Sequence, residues 1–303
     1  MPAINAEIVI INCSTKELTA LALVSALRNG SLPVTVIDCE STDGSVEFFR
    51  ELQRQLTFKL AHLPLRRHGV TLDRIFNETA RDTLLLLDSD AEILDPQLVP
   101  RMLAALTSGT YGSGFLHCGE WLGTEHGGGY PVSQHDGGPP GQRGGGGPPG
   151  YYADRMWIPC VMLGVAAVKE ALSAGQSFRA QIIGNEIAWR WLAQLLCLRF
   201  RIPGLRRLRL DTLQPQHRDY RGLRPHYIYS DTGAGLHDFL VNQRGLSFAN
   251  LGAQWWPRAV AHYHGATRRK LRPRMRNATD VVASRADALA RISAIYGVRL
   301  PGA

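Results

Sequence analysis

With 303 residues, 45% of them hydrophobic and 20% charged, the chain has the make-up of a soluble globular protein that can bury one large core or two intimately packed halves. Its formal net charge of +8, nearly all of it arginine, predicts anionic partners: nucleotide phosphates, an acidic membrane surface or nucleic acid. Five scattered cysteines without a C-x-x-C spacing argue for reduced thiols over disulfides or zinc, and the lack of a basic leader or an apolar run of about 18 residues argues against a signal peptide or membrane span.

Taken in chain order, residues 7–12 (EIVIIN) form a β-branched run that reads as a strand, followed by a polar turn and an apolar-periodic helix through Arg28 that Asn29 and Gly30 should close. Residues 33–38 (PVTVID) are a second buried strand, with STDGS and a helix over 46–56 behind it. A strand near 58–63, a helix near 70–80 and a strand at 83–87 continue the alternation. Strands alternating with helices of this length imply an α/β fold with a doubly wound, mostly parallel sheet.

Residues 123–150 are dominated by glycine and proline, cannot bury a core, and are expected to form a mobile surface loop. Beyond it, 156–168 (MWIPCVMLGVAAV) is expected to return a strand to the sheet, and 182–197 to form a helix. Residues 231–244 (DTGAGLHDFLVNQR) read as another helix, N-capped by Asp231 or Thr232 and followed by Gly245. A short strand at 259–264 precedes a basic stretch, TRRKLRPRMR, and an amphipathic helix over 280–296.

The run 83–94, TLLLLDSDAEIL, carries the most chemistry. Its leucines read as a strand buried on both faces, and alternation along an extended chain would point Asp88 and Asp90 to the same side. At the carboxyl end of such a strand, where open α/β sheets bind ligands, two hard oxygen donors suit a divalent cation carrying a phosphorylated substrate. Asn12, just past the first strand, lies where the nucleoside of such a substrate would rest and is a candidate contact to base or ribose.

Three segments in this order resemble the GT-A glycosyltransferases, above all the inverting family 2: IDCESTDGS at 37–45, LLLDSD at 85–90 and AHYHGAT at 261–267. The resemblance covers most of residues 7–265, with Cys39 and Glu40 departing from the family pattern and 199–230 matching nothing in it. It implies a GT-A fold with a nucleotide-sugar-binding half at 1–122, the loop at 123–150, an acceptor-side half at 151–266 and a basic tail and helix at 267–303. It also implies transfer of a sugar from a nucleotide-diphosphate donor to an acceptor hydroxyl with inversion, assisted by Mn²⁺ or Mg²⁺.

By the same resemblance Asp90 bonds the metal while Asp88 binds ribose or metal-bound water, and His262 completes the coordination, with His264 as the alternative. Asp38 or Asp43 contacts the base, and His68 approaches the nucleotide, with Asp73 and Arg74 as weaker candidates. Inverting transfer needs a carboxylate to take the acceptor's proton. Two compete: Glu186, in a segment similar to the family's F-D-E-x-x-x-G-E-D, and Asp231, at the start of a helix and better spaced from His262. A glycan, a lipid-linked molecule or a small molecule would accept the sugar. The expected setting is cytoplasmic, with the basic tail able to meet the inner face of a membrane.

The first turn, NCSTKE, holds neither the glycine-rich, basic loop of a nucleotidyltransferase nor the G-x-G-x-x-G of a redox Rossmann enzyme. A basic nucleic-acid-binding protein is the non-enzymatic rival, supported by the tail and its nearby aromatic residues, but no nucleic acid is expected. Trp121, Trp157, Trp189, Trp255 and Trp256 offer stacking faces that are more often core.

Overall fold

In the computed structural model the described residues are 5–117, 120–122, 150–152, 154–184, 227–252, 255–263 and 278–301. The first half alternates as expected: β1 (Ala6–Asn12), α1 (Lys16–Asn29), β2 (Val34–Asp38), α2 (Ser45–Leu52), β3 (Lys59–His62), α3 (His68–Glu78) and β4 (Thr83–Asp88). There follow β5 (Ala91–Ile93), α4 (Leu98–Ala105), β6 (Thr110–His117), β7 (Glu120–Leu122), β8 (Gly150–Tyr152), β9 (Arg155–Gly164) and α5 (Val165–Ser173). The remainder is β10 (Gln181–Gly184), β11 (Tyr227–Ser230), α6 (Ala234–Asp238), β12 (Ser247–Asn250), α7 (Trp256–Ala259), β13 (Val260–His262) and α8 (Ala278–Tyr296). Of the glycine- and proline-rich segment, 123–149 lies outside the described residues, as does the basic stretch 267–276.

A seven-stranded sheet in the order β12-β6-β9-β4-β1-β2-β3 forms the centre. β9 runs antiparallel to β4 and β6, and the other pairings are parallel. The doubly wound α/β sheet is therefore present, with strands from both halves of the chain. Alternation of side chains divides its core between the two faces. Ile8 and Ile10 of β1 and Leu85 and Leu87 of β4 pack on one face with α1, α2, α4 and α8. Val9, Leu84 and Leu86 pack on the other with α3, α5 and α6. α1 is buried along Leu18–Ala26 because α8 covers the side that the sheet does not. Two smaller sheets, β10-β11-β8-β7 and β13-β5, complete the pairing among the described residues. None of the described helices is long and apolar enough to cross a membrane.

Gly30 caps α1 as expected, its N–H donating to the Ala26 carbonyl at 2.8 Å, while the left-handed position falls to Ser31 at φ 54°. Glycine is required at 30 for room, since a Cβ would lie 2.4 Å from the Ala26 carbonyl and 2.5 Å from Ile8 Cδ1. The apolar run after the loop is not one strand: β9 stops at Gly164 and Val165–Ser173 is helical. The helix expected from 182 does not begin there, because Gln181–Gly184 pairs with β11, and 185–200 lie outside the described residues. The cap of α6 is Gly233 at φ 83°, not Asp231 or Thr232, and the helix runs on as a π-helical turn, Phe239–Gln243, before Gly245.

Candidate active site

Strand order places β2 and β3 on one side of β1 and β4 on the other, so the chain reverses its winding direction between β1 and β4. A crevice at the carboxyl ends of strands is the usual ligand position at such a switch point. Register brings three sequence candidates to this rim: Asn12 pairs with Asp38, and Ile11 with Asp88.

Asn12 is fully buried and its amide is spent on its neighbours. Nδ2 donates to Asp38 Oδ1 (2.7 Å) and Ser41 Oγ (2.9 Å), while Oδ1 accepts from the Thr19 hydroxyl (2.8 Å) and from Thr15 N–H (3.3 Å). Asp38, 1% exposed, also accepts from Ser41 N–H at 3.1 Å. These two side chains therefore tie the turn after β1 to the turn after β2, and neither points a polar group toward open solvent. Asn12, the candidate contact to base or ribose, is thus bonded within the protein here, and Asp38 shares that framework role. Asp43 is half-buried, accepts from the N–H (3.2 Å) and hydroxyl of Ser45 at the start of α2, and offers its carbonyl to Lys16 Nζ at 2.8 Å. Next to this turn, burial pushes the Cys39 thiol up to about 12, with Cys13, Asp38 and Glu40 adding to the shift.

Asp88, Asp90 and His262 converge, each offering a ligand atom within 4.8 Å of the others. Strand alternation does not bring the two carboxylates together, because β4 ends at Asp88 and the chain turns through Ser89 and Asp90 into β5. His262 arrives by pairing. β13 lies antiparallel to β5 with His262 opposite Ala91, and Tyr263 N–H donates to the Asp90 carbonyl at 2.7 Å. His262 Nε2 then sits 3.2 Å from Asp90 Oδ1, with the two side chains 15% and 7% exposed. The Trp157 ring meets the imidazole edge-on at 5.3 Å and fixes its plane. Trp157 lies on β9 where the register against β6 slips beside Gly114 and Leu116, near Pro159, which has no N–H for the ladder.

Ligand atoms around a Mg²⁺ or Mn²⁺ ion lie about 3 Å apart when adjacent and about 4.2 Å apart when opposite, for bonds of about 2.1 Å. The 3.2 Å contact and the 4.8 Å span thus need only a small contraction to grip such an ion. Two carboxylates and one imidazole suit a hard or borderline divalent cation. His68, at the first turn of α3, stands at the edge of this group with Nε2 3.9 Å from Asp88 Oδ1 and a side chain 40% exposed.

Other candidates are placed elsewhere or differently. Asp73 accepts from Phe178 N–H (2.8 Å) and Ser177 Oγ (2.5 Å) and lies 3.6 Å from Arg179 Nε, so it pins α3 to the 177–179 turn. Arg74 pairs with Glu78 one helical turn on, at 2.7 Å. Asp231 lies between β11 and α6 with 39% of its side chain exposed, accepting from Thr232 N–H (2.8 Å) and 3.7 Å from Arg155 Nε. Glu186 and His264 lie outside the described residues.

One cluster escaped the sequence reading. Glu92, two residues past Asp90, is fully buried and accepts four hydrogen bonds from Tyr263, Arg291 and Tyr296. Burial and the bond to Glu92 push both tyrosines' pKa values up, so they stay protonated donors, and the same bond raises that of Arg291. The available signal was a glutamate inside an otherwise apolar strand, AEI, since a buried carboxylate demands partners.

No protein-family model matches this chain, and no curated protein does. Among solved structures it is similar to the mannosyltransferase PcManGT of Pyrobaculum calidifontis, solved with GDP-Man and Mn²⁺, at 17% identity over 37% of this chain and 35% of that one, with a TM-score of 0.32. It is similar to S. aureus TarS 1–349 with UDP-GlcNAc at 16% identity over 36% of this chain and 33% of that one, TM-score 0.31. To TarS 1–349 alone the figures are 14%, 55% and 48%, with a TM-score of 0.35. The chain thus spans between a third and a half of the length of these three structures.

Proposed function

We propose that this protein is a GT-A glycosyltransferase of the inverting, family 2 type, moving a sugar from a nucleotide-diphosphate donor to an acceptor hydroxyl. The observation that carries the reading is the convergence of Asp88, Asp90 and His262 at the carboxyl end of β4, beside the switch point of the sheet. Its second support is the order of the S-T-D-G-S, D-x-D and H-x-x-G-x-T segments.

A divalent cation at these residues would neutralise the charge that grows on the departing diphosphate. The chain's own work is to fix and shield the reactants. The Asn12–Asp38–Ser41 tie holds the two turns that flank the nucleoside, and Asp43 and His68 stand at the rim to meet it. The acceptor oxygen attacks the anomeric carbon as the bond from that carbon to the diphosphate breaks, and its proton passes to a carboxylate. Asp231 is the favoured base, partly exposed and held by its bond to Thr232, with Glu186 the alternative. Attack opposite the leaving group inverts the anomeric configuration. Action in the cytoplasm, with the arginine-rich stretch against an acidic membrane surface and a glycan, lipid-linked or small-molecule acceptor, belongs to the same proposal.

The test is thermal shift with UDP or GDP, with and without Mn²⁺, followed by assay of diphosphate release from the matching sugar donor. Ligand at a hundred times its Kd stabilises by about 2.7 kcal/mol, a rise of several degrees. Asp90→Ala removes both the Mn²⁺-dependent shift and transfer. Unchanged transfer in that variant, or full activity in excess EDTA, overturns the reading.

A further inference from the structure

Glu92 has no part in the transfer scheme, yet its environment is elaborate. Tyr263 OH (2.6 Å) and Arg291 Nε (2.9 Å) donate to Oε2, while Arg291 Nη2 (2.9 Å) and Tyr296 OH (2.7 Å) donate to Oε1. The donors come from two places. Tyr263 directly follows His262, whereas Arg291 and Tyr296 lie on α8, near the end of the chain. Tyr263 is held at both ends, by its N–H on the Asp90 carbonyl and its phenol on Glu92. The short β5–β13 pairing that carries His262 to Asp90 is therefore closed by a carboxylate that α8 clamps with a two-pronged guanidinium.

A buried ion pair of this kind is a weak device for stability, since an apolar replacement of similar volume often does as well. What it supplies is one register. A slip of one residue in β13 would turn His262 to the opposite face, and a three-residue pairing, extended at its ends by Leu94 N–H on the Ala259 carbonyl and Tyr263 N–H on the Asp90 carbonyl, gains a further register constraint from the clamp.

We propose that Arg291 is a positioning residue. Through Glu92 and Tyr263 it sets the β5–β13 register that keeps Asp90 and His262 at cation-binding distance, which makes the C-terminal helix part of the site. The inference rests on reading Asp88, Asp90 and His262 as a cation site. Arg291 acts through its neighbours, and its removal loosens the grip on the ion before any chemistry begins.

The experiment measures binding of Mn²⁺ alone to the full chain by electron paramagnetic resonance, with melting temperature recorded in parallel. Arg291→Met weakens Mn²⁺ about tenfold, the low end of the loss seen when a direct partner of a metal ligand is removed, because Arg291 acts one residue further out. Arg291→Lys keeps the charge without the fork and recovers only part of the affinity. Ile292→Ala, a cavity in the core under the same helix, lowers the melting temperature while Mn²⁺ affinity stays within about twofold. If Arg291→Met fails to fold, Tyr263→Phe and Tyr296→Phe each delete one donor and carry the test, with about threefold weaker binding as the expected result. Mn²⁺ binding lost in Asp90→Ala but unchanged in the clamp variants overturns the inference and leaves the cation site standing. Equal weakening by Ile292→Ala and the clamp variants at equal thermal cost also overturns it. Binding absent from the wild type, or surviving Asp90→Ala, overturns the site and the inference together.

Discussion

Replacing Asn12 by aspartate changes one nitrogen to oxygen without changing shape, and it tests whether the crevice rim is held as described. In the wild type Nδ2 donates to Asp38 Oδ1 at 2.7 Å, with Asn12 0% and Asp38 1% exposed. In the variant two carboxylate oxygens face each other at that distance. Repulsion between full charges there is about 6 kcal/mol at an effective dielectric of about 20. Protonating one carboxyl at pH 7, against an ordinary value of about 3.9, costs about 4 kcal/mol and relieves the clash, so about 4 kcal/mol is the penalty. The sign follows from proton counting. The folded variant holds a proton that the unfolded chain releases above pH 4, so its stability falls as pH rises from about 4 toward the raised folded value. Below pH 4 both states are protonated, the new carboxyl donates as the amide did, and the penalty shrinks below about 1 kcal/mol. Urea unfolding of both proteins, followed by tryptophan fluorescence at pH 4.5 and pH 7, should show the deficit of the variant growing by about 3 kcal/mol across that interval, with the m value unchanged. A deficit independent of pH, or smaller than about 1 kcal/mol at pH 7, would refute the tie.

Two further outcomes are expected. Burial lowers the pKa of His237, against the opposing pull of Asp154 and Asp238, and its Nδ1 faces Tyr111 OH at 2.5 Å. The unfolded chain therefore takes up this proton first, and stability is lost as pH falls from about 6.5 toward the depressed folded value. His237→Asn, which keeps an acceptor without a titrating ring, should flatten that loss in denaturation series between pH 6.5 and 5, and an unchanged slope counts against a neutral His237. Asp73→Ala strips Phe178 N–H and Ser177 Oγ of their acceptor, which should cost about 2 kcal/mol and lower the melting temperature by roughly 4–8 °C. Mn²⁺-dependent nucleotide binding should persist, and its loss at unchanged melting temperature would return Asp73 to the nucleotide.

What the sequence made legible was whatever depends on neighbours along the chain. The leucines of 83–87 read as a strand buried on both faces, and Leu84 and Leu86 do enter one core while Leu85 and Leu87 enter the other. Where an apolar run lacks polar punctuation, as at 156–168, periodicity cannot say where strand gives way to helix, and Gly164 proved to be the boundary. The carboxylates Asp88 and Asp90 were visible for the same local reason, but the cause assigned to their meeting was wrong, because a turn joins them. Asn12 and Asp38 were recognised as polar groups at the ends of the right strands, and Asp73 as one on the helix after β3. Their partners Ser41, Thr19 and Phe178 lie across loops that sequence spacing does not connect, so side chains that bind the protein itself looked available to a ligand. Glu92 shows the limit most sharply. A glutamate between Ala91 and Ile93 in a buried strand announces that cations or hydroxyls must approach, yet its clamp comes from Arg291 and Tyr296, near the far end of the chain. Burial requires the partners without naming them. The C-terminal helix can be recognised by its pattern alone, but its tie to the candidate cation site appears only once β13 has been laid against β5.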